Sequence, residues 1–380
     1  MKRFLFVSLL FVFVASGGVF AQITVSGTLD STVSMLLGTG DSTGFSFGLE
    51  EYANIRFQSR LRSDAVVYGA FNLIAASGDY AKNAALMAGI SPVSEPPLIP
   101  QTAFFSGENF ISGIELERLY FRLRGEHTDF DGGLFRLPFG YGQIWGPSDF
   151  LNPRNPLKPD ARPRGILGAL LIWYPNDDLK LQTFAASPRN PFANGGEGLI
   201  AGLSLDQHWS TASLQALYTY EMPQTGSSQG IHRAGFSLKA DIEVGFVMDV
   251  LYTFNPAQSG GSLLDGLSFS AGFDYSFLGG DLIVLAEYLY NGEKSSTALE
   301  FLNNHYLYAG ATYRFNDFTS MNAALMICFD DFSITPIISV NHNLFQGALL
   351  NIMAQIPLDN EVFSSGKMNF LCSARLRLRF

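Results

Sequence analysis

The stretch GLSFSAGFDYSF, residues 266–277, alternates between apolar and polar side chains. In an extended strand, successive side chains point to opposite faces, so this stretch has two chemically different faces. One face carries only apolar side chains, which are Leu267, Phe269, Ala271, Phe273, Tyr275 and Phe277. The opposite face carries Ser268, Ser270, Gly272, Asp274 and Ser276. The stretch is therefore predicted to be a β-strand with one apolar and one polar face.

The same alternation recurs along the chain in segments that turn residues separate. It is clear in residues 211–221, 244–254 and 281–290, where two aromatic residues share the apolar face just before a loop. The pairs are Tyr218/Tyr220, Tyr252/Phe254 and Tyr288/Tyr290. Amphipathic rings settle at headgroup level around transmembrane barrels, whereas a soluble β-sandwich has no reason to repeat such pairs at one end of its strands. The pattern predicts an all-β fold, a transmembrane antiparallel up-and-down β-barrel.

Short turns and long loops alternate between the predicted strands, as expected for periplasmic turns and long extracellular loops. The short turns are Ser63-Asp64, Gly125 to Asp129, Pro175 to Asp178, Asp206 to Trp209, Asp241 to Glu243, Leu278 to Asp281, Asn316 to Thr319 and His342 to Gln346. They predict about 18 strands in one barrel domain, residues 22–380. If the segment 332–341 fails as a strand because of Pro336, and a neighbour fails with it, the alternative is about 16 strands.

The composition excludes several classes of protein. Of the 380 residues, 47% are hydrophobic and only 15% are charged, so the chain is too apolar to be disordered. After residue 21 the longest apolar run, Gly165 to Tyr174, is about half of what a transmembrane helix needs. A net charge of −10 argues against a nucleic-acid partner. A large β protein remains.

The first 21 residues are predicted to be a cleaved signal peptide. Lys2 and Arg3 precede the apolar run Phe4 to Val14, and Val19-Phe20-Ala21 precede a predicted cleavage site before Gln22. The barrel is thus expected to be exported through the periplasm and embedded in outer-membrane lipid. Strand phasing places Cys328 toward the lumen and Cys372 toward lipid, so no disulfide is expected.

The last strand carries the most specific motif. Its residues Phe370, Cys372, Ala374, Leu376, Leu378 and Phe380 share one face, while Ser373, Arg375, Arg377 and Arg379 share the other. The segment 369–380, which ends in Phe380, resembles the C-terminal signal of Gram-negative outer-membrane barrels. That resemblance implies recognition by the barrel-assembly machinery.

Arginines are concentrated in one part of the chain, with ten of the sixteen mature arginines between Arg56 and Arg164. Charges on the lipid face of a barrel are costly at mid-membrane, so the ladders on two predicted strands must face the lumen. The two ladders, together with Arg136, predict a permanently positive wall that is a candidate selectivity element. The ladder residues are Arg56, Arg60 and Arg62 on the first strand and Arg118, Arg122 and Arg124 on the second. The alternative is that these arginines only balance lumenal carboxylates such as Asp249, Asp274 and Glu287.

The stretch from Phe139 to Arg164 contains five prolines and mixed charge, and it is the third external loop. Prolines stiffen the chain, so this loop is expected to fold inward and narrow the lumen. Its candidate pore-lining or constriction residues are Trp145, Asp149, Arg154, Asp160, Arg162 and Arg164.

The order of Trp145-Gly146-x-x-Asp149, Asn152-Pro153 and Arg162-Pro163 between two strands, within Gly132 to Thr183, resembles porin-like outer-membrane families. It is also distantly similar to phosphate-selective porins. The resemblance implies a channel, but not phosphate specificity, because only six lysines remain in the mature chain.

No motif for enzyme chemistry is present. The five histidines lack metal-site spacing, and the sequence contains no G-x-S-x-G, P-loop or CxxC motif. No catalytic activity, cofactor or metal is expected. The sequence predicts a porin for passive diffusion of small hydrophilic solutes and leaves open a homo-oligomer. The alternative is a surface adhesin or recognition barrel with a closed lumen, whose function lies on the loops 77–112 and 187–197.

Overall fold

The computed structural model describes residues 22–38, 44–79, 102–107, 109–152, 165–187, 198–223, 229–256, 262–292, 304–358 and 369–380. The chain forms nineteen strands: β1 Gln22–Gly38, β2 Gly44–Arg60, β3 Ala65–Gly78, β4 Thr102–Gly107, β5 Phe110–Arg124, β6 Thr128–Phe135, β7 Ile166–Asn176, β8 Leu179–Ser187, β9 Ile200–His208, β10 Ala212–Glu221, β11 Ile231–Asp241, β12 Gly245–Phe254, β13 Leu267–Phe277, β14 Leu282–Asn291, β15 His305–Asn316, β16 Thr319–Cys328, β17 Ile334–Phe345, β18 Ala348–Gln355 and β19 Asn369–Arg379.

Eighteen of these strands form a closed antiparallel barrel. Each pairs with its neighbour in the chain, except that β3 pairs with β5, and β19 pairs with β1 to complete the ring. The predicted barrel of 18 strands is therefore confirmed, and the alternative of 16 is wrong. Pro336 does not prevent β17 from pairing with both β16 and β18, because this proline lies near one end of the strand.

The extra strand, β4, falls in a stretch that the sequence predicts to be loop, residues 77–112. It pairs with residues 110–114 of β5, whose other edge is occupied by β3. Strand β6 pairs only with residues 119–124 of β5, so β4 takes the same edge farther along the strand. The backbone groups that β6 leaves unpaired on β5 explain why this part of the loop becomes a strand.

The two faces of the wall have the predicted chemistry. Outward side chains such as Phe273 and Phe277 are exposed, whereas the inward Ser270 and Asp249 are fully buried. Cys328 lies inward and is buried, Cys372 lies outward, and both are free. The predicted alternation and the predicted placement of the two cysteines are therefore confirmed.

The described residues include two short 3₁₀ segments, Leu263–Gly266 and Leu278–Gly280. No helix in this part of the chain is long and apolar enough to span a bilayer. The predicted signal peptide, residues 1–21, lies outside the described residues.

Candidate functional site

The chain leaves the wall at the end of β6 and runs across the inside of the barrel. Residues 136–152, called the inward loop below, contact strands that lie far away in the sequence. The backbone N–H of Gly140 donates to Gln215 Oε1 on β10 at 2.7 Å, and the side chain of Gln143 donates to Asp274 on β13 at 2.5 Å. The lumen therefore contains a packed segment of its own chain.

Glu287 of β14 makes the most extensive of these contacts. Its carboxylate accepts backbone N–H bonds from three successive residues, Gln143 at 3.0 Å, Ile144 at 2.9 Å and Trp145 at 3.1 Å. The indole N–H of Trp145 also donates to the backbone oxygen of Glu287 at 3.1 Å. Hydrogen bonds to a charged group contribute about 1.5–3 kcal/mol each, and Glu287 is only 1% exposed. This carboxylate is thus the main polar attachment of the inward loop.

Asp249 of β12 forms a second attachment. It accepts the backbone N–H of Ser148 at 3.2 Å and its hydroxyl at 2.5 Å, and the hydroxyl of Ser237 at 2.6 Å. Gly140 passes so close to Asp249 that a β-carbon there would collide with the carboxylate. Its φ of 79° is also one that side-chain-bearing residues rarely adopt. Glycine at position 140 therefore lets the loop reach the wall.

Apolar packing supports both ends of the inward loop. Near β6, Leu137, Phe139 and Leu151 pack on inward residues of β7 to β10, and the rings of Phe139 and Phe184 lie 5.3 Å apart. At the far side, Trp145 is fully buried beside Leu289, with its ring 5.8 Å from Tyr306. The lumen thus contains two small hydrophobic clusters.

The inward loop is also held by its own side chains. Asn152 Oδ1 accepts the backbone N–H of Leu137 at 2.9 Å, and Asp149 Oδ1 accepts that of Phe139 at 3.1 Å. These bonds join the outgoing and returning limbs of the loop. Trp145 and Asp149, predicted to line a constriction, are 0% and 2% exposed and instead hold the loop in place. The reason is that both face the wall or the loop itself.

Two parts of the inner surface, separated by β16 on one side and by β5 and β6 on the other, differ in how the loop covers them. The inward faces of β7 to β15, called the covered wall, lie against the loop, and Asp249, Glu287 and Leu289 there are almost fully buried. The inward faces of β17 to β19 and β1 to β3 are called the open wall. Arg56 and Arg379 there are exposed and Asn351 is partly exposed. The loop thus occupies one side of the lumen.

The two walls also differ in charge. Within the described strands, the inward positions of the open wall carry five basic residues, Arg56, Arg60, Arg375, Arg377 and Arg379, and two acidic residues, Asp30 and Glu50. The covered wall carries four basic residues, Lys180, Arg233, Lys239 and Arg314, and six acidic ones, Asp206, Glu221, Asp241, Asp249, Asp274 and Glu287. The side that the loop leaves uncovered is therefore the positive side.

The predicted arginine ladders lie on strands β2 and β5, but their charges are partly balanced. Arg122 makes two bonds to Asp131, at 2.6 and 2.5 Å, and Arg118 lies 3.4 Å from Glu117. Arg56 donates to Asn54 Oδ1 at 2.6 Å. Asp249, Asp274 and Glu287, named above as examples of carboxylates that these arginines balance, contact the inward loop.

The other predicted arginines lie at the ends of elements. Arg60 and Arg124 are the exposed last residues of β2 and β5, and Arg136 is half-buried at the start of the inward loop. Arg62 is beyond the end of β2, in the turn, where it pairs with Asp64 at 3.2 Å. Its predicted position inside the lumen is therefore wrong, because the strand ends first. Arg154, Asp160, Arg162 and Arg164 lie outside the described residues.

Sequence analysis did not select the basic residues of the last strand as site residues. Arg377 binds Asp30 through two bonds of 2.8 and 2.9 Å, and Arg375 donates to Thr32 at 3.2 Å. Their alternation in the C-terminal strand was the available signal. In the residues that the structure describes, no group of three or more His, Cys, Asp or Glu is placed to hold a metal ion.

The chain is similar to solved bacterial outer-membrane barrels. A BenF-like porin from Pseudomonas fluorescens Pf-5 gives a TM-score of 0.60 at 9% identity, over 94% of this chain and 98% of the porin. OccK7 (OpdD) from Pseudomonas aeruginosa gives 0.56 at 11% identity, over 95% and 99%. Wzi of Escherichia coli, a carbohydrate-binding β-barrel involved in group 1 capsule assembly, gives 0.56 at 12%, over 94% and 84%.

No protein-family model and no curated protein matches the chain. At these low identities the likeness establishes the fold. The distant similarity to phosphate-selective porins is not confirmed by these comparisons.

Proposed function

We propose that the chain is an outer-membrane porin for passive diffusion of small hydrophilic solutes and ions. The observation that carries the proposal is the asymmetric lumen, in which a folded loop occupies one side and the described residues leave a polar, basic wall uncovered. An 18-stranded barrel is too wide for wall side chains to fill, so the inward loop is what narrows it. The similarity to porins of the same strand architecture supports this function.

The charge difference between the two walls favours anions. The covered wall is acidic, but the carboxylates of Asp249 and Glu287 are engaged with the inward loop and withdrawn from the passage. The open wall has more basic than acidic residues, and arginine keeps its charge at any physiological pH. A positive surface across the passage raises the local concentration of anions and lowers that of cations.

The remaining expectations belong to the same proposal. The protein is exported by its signal peptide, its C-terminal segment 369–380 is recognised by the barrel-assembly machinery, and it uses no cofactor. The exposed C-terminal Phe380 closes onto the first strand, since its backbone exchanges hydrogen bonds with Gly27 at 2.8 and 3.1 Å. This pairing, with the exposed ring of Phe380, supports recognition of the segment at the barrel seam.

The second candidate function is a recognition barrel with a closed lumen. The similarity to Wzi favours it, because that protein is a carbohydrate-binding β-barrel of the same fold. A packed inward loop is compatible with closure as well as with narrowing. The two candidates differ in one measurable property, which is conductance.

The deciding experiment is single-channel recording of the purified mature protein in a planar bilayer with a KCl gradient. A porin gives stable conductance steps, and anion preference sets the sign of the reversal potential. A folded barrel, shown by heat-modifiable migration on gels, that never conducts contradicts the porin proposal and favours the recognition barrel. Folded protein that conducts with cation preference contradicts only the selectivity proposal.

A further inference from the structure

Glu51 lies on the lipid-facing side of the barrel. It is paired with Ser31 across β1 and β2, and the Ser31 hydroxyl donates to its carboxylate at 2.6 Å. The neighbouring residues of Ser31 on the strand, Asp30 and Thr32, bind arginines inside the lumen. Because alternate side chains point to opposite faces, Ser31 and Glu51 point outward.

This position is exceptional in the described part of the barrel. Among the outward-facing residues of the described strands, Glu51 is the single Asp, Glu, Lys or Arg. It is also the fourth of eight outward positions on β2: Phe45, Phe47, Leu49, Glu51, Ala53, Ile55, Phe57 and Ser59. A tilted strand crosses the hydrocarbon core in about 9–11 residues, so Glu51 lies near mid-membrane. A carboxylate facing lipid there destabilises the barrel.

The surroundings of Glu51 are small and polar. Ser31 and Ala75 face it from the neighbouring strands, and Ser112 of β5 lies beyond Ala75. Ala53 follows Glu51 on the same face. Small side chains allow another protein surface to approach closely in a membrane, and hydroxyls supply hydrogen bonds there. This group, Ser31, Glu51, Ala53, Ala75 and Ser112, is called the Glu51 face.

We propose that the Glu51 face is a contact between two copies of this chain related by a two-fold axis. A two-fold contact joins the same patch on both subunits, so the patch must be complementary to itself. The Glu51 face meets this condition, because it contains a carboxylate acceptor and the hydroxyl donor of Ser112, while the Ser31 hydroxyl is bonded to Glu51 of its own copy. A second copy replaces lipid beside Glu51 with the hydroxyl of Ser112.

A second copy is favoured over lipid by the hydrogen-bonding capacity of Glu51. Ser31 occupies one carboxylate oxygen, at Oε1, and hydrocarbon chains offer no donor to the rest of the group. The bulky outward side chains of β2, Phe45, Phe47 and Phe57, lie toward the two ends of the strand, away from the Glu51 face. The contact is therefore expected to be centred at mid-membrane.

Cysteine cross-linking tests where two copies meet. In a Cys372→Ala background, where the remaining Cys328 is buried in the lumen, Ala53→Cys should give a cross-linked dimer in liposomes with a short thiol-reactive cross-linker. The matched control is Ala271→Cys on β13, which is also an outward, partly exposed alanine, on a distant part of the barrel. Equal cross-linking at both positions, or none at Ala53→Cys, overturns the proposal. An oligomer larger than a dimer in native mass spectrometry overturns its two-fold arrangement.

The mass of the folded protein in detergent tests the role of Glu51 itself. Native mass spectrometry should show a dimer for the wild-type protein and for Glu51→Gln, which keeps an acceptor oxygen, but a monomer for Glu51→Leu. Heat-modifiable migration should show that the leucine variant is folded, since leucine suits a lipid-facing position. A monomeric wild type, or an unchanged dimer in Glu51→Leu, contradicts the proposal. Because Glu51 faces away from the lumen, the conductance expected of the porin is unchanged by these variants.

Discussion

The covered wall and the open wall are built from the same kind of strand, yet inward carboxylates of the two walls bind different partners. On the covered wall, Glu287 accepts three backbone N–H groups of the inward loop, and Asp249 holds Ser148. On the open wall, the inward carboxylate of Asp30 instead binds the guanidinium of Arg377. Asp249 and Glu287 thus bind the loop, whereas Asp30 binds an arginine, as Glu221 of the covered wall also does with Arg233.

This difference shows how one barrel can obtain a charge asymmetry. A backbone N–H has no net charge, so the bonds that Glu287 accepts from the loop bring no positive charge to the covered wall. The arginines then concentrate on the opposite side of the lumen, where Arg56 and Arg379 are exposed. The strands that hold the loop and the strands that carry the exposed arginines thus lie on opposite sides of the lumen.

Replacing Glu287 by leucine should have the largest effect, because it breaks the polar attachment of the covered wall. The variant leaves the N–H groups of Gln143, Ile144 and Trp145 without their acceptor, at about 1–3 kcal/mol for each buried group. We expect the inward loop to leave its position and the single-channel conductance to rise. Glu287→Gln, which keeps one acceptor oxygen, should show a smaller rise. Unchanged conductance in folded Glu287→Leu would mean that the loop does not narrow the passage.

Replacing Trp145 by alanine should weaken the attachment of the inward loop to the wall, mainly through lost apolar packing. Trp145 is fully buried against Leu289 and Tyr306, and truncation of such a side chain costs about 3–5 kcal/mol. Limited proteolysis should then cut within residues 136–152 faster than in the wild type. The matched control is Trp173→Ala, which removes an outward, half-exposed tryptophan from β7 and should leave loop cleavage unchanged. Equal cleavage of both variants would contradict the assigned packing role.

Removing one positive charge from each wall in turn should show which wall has the larger influence on ion selectivity. Arg56→Gln removes an exposed charge from the open wall, and we expect the reversal potential in a KCl gradient to shift toward cations. Arg233→Gln removes a charge from the covered wall, where its side chain is 12% exposed and bonded to Glu221 at 2.8 Å. That variant should shift the potential less. The opposite order would show that the covered wall borders the ion path.

The smallest effect is expected at Arg62. This residue lies in an exposed turn beyond the end of β2, with its side chain 77% exposed. Solvent and salt screen a charge at such a position, so Arg62→Gln should leave the reversal potential close to the wild-type value. A shift as large as that of Arg56→Gln would place the turn at the mouth of the selective region.

The strands could be predicted because their signal is local. Alternation in segments such as 266–277 depends only on side chains two residues apart, and it correctly located both faces of the wall and the turns between strands. Arg62 was misplaced because alternation continues past Arg60, whereas the strand does not. Strand β4 was missed because it depends on the edge that β6 leaves free on β5.

The sequence predicts that the inward loop exists and folds into the lumen. It does not predict which wall residues the loop binds. Its contact with Glu287 joins residues more than 140 positions apart, and no local pattern specifies such a pair. A weaker signal was available in β7, whose residues Ile166, Leu170 and Ile172 are apolar on the inward face as well. An inward face that is apolar in a barrel indicates that something apolar covers it. The same signal is present at Leu289 of β14.

The seam between β1 and β19 bears on the order in which the barrel closes and the inward loop packs. It joins the first and last strands of the barrel, with Asp30 bound to a residue 347 positions later, so the ring cannot close until β19 pairs with β1. The attachments at Asp249 and Glu287, by contrast, lie wholly within the sequence before the last strand. Packing the loop before closure encloses it during assembly, and no folded wall then has to reopen to admit it. Pairing of β19 with β1 is therefore also the step that encloses the lumen.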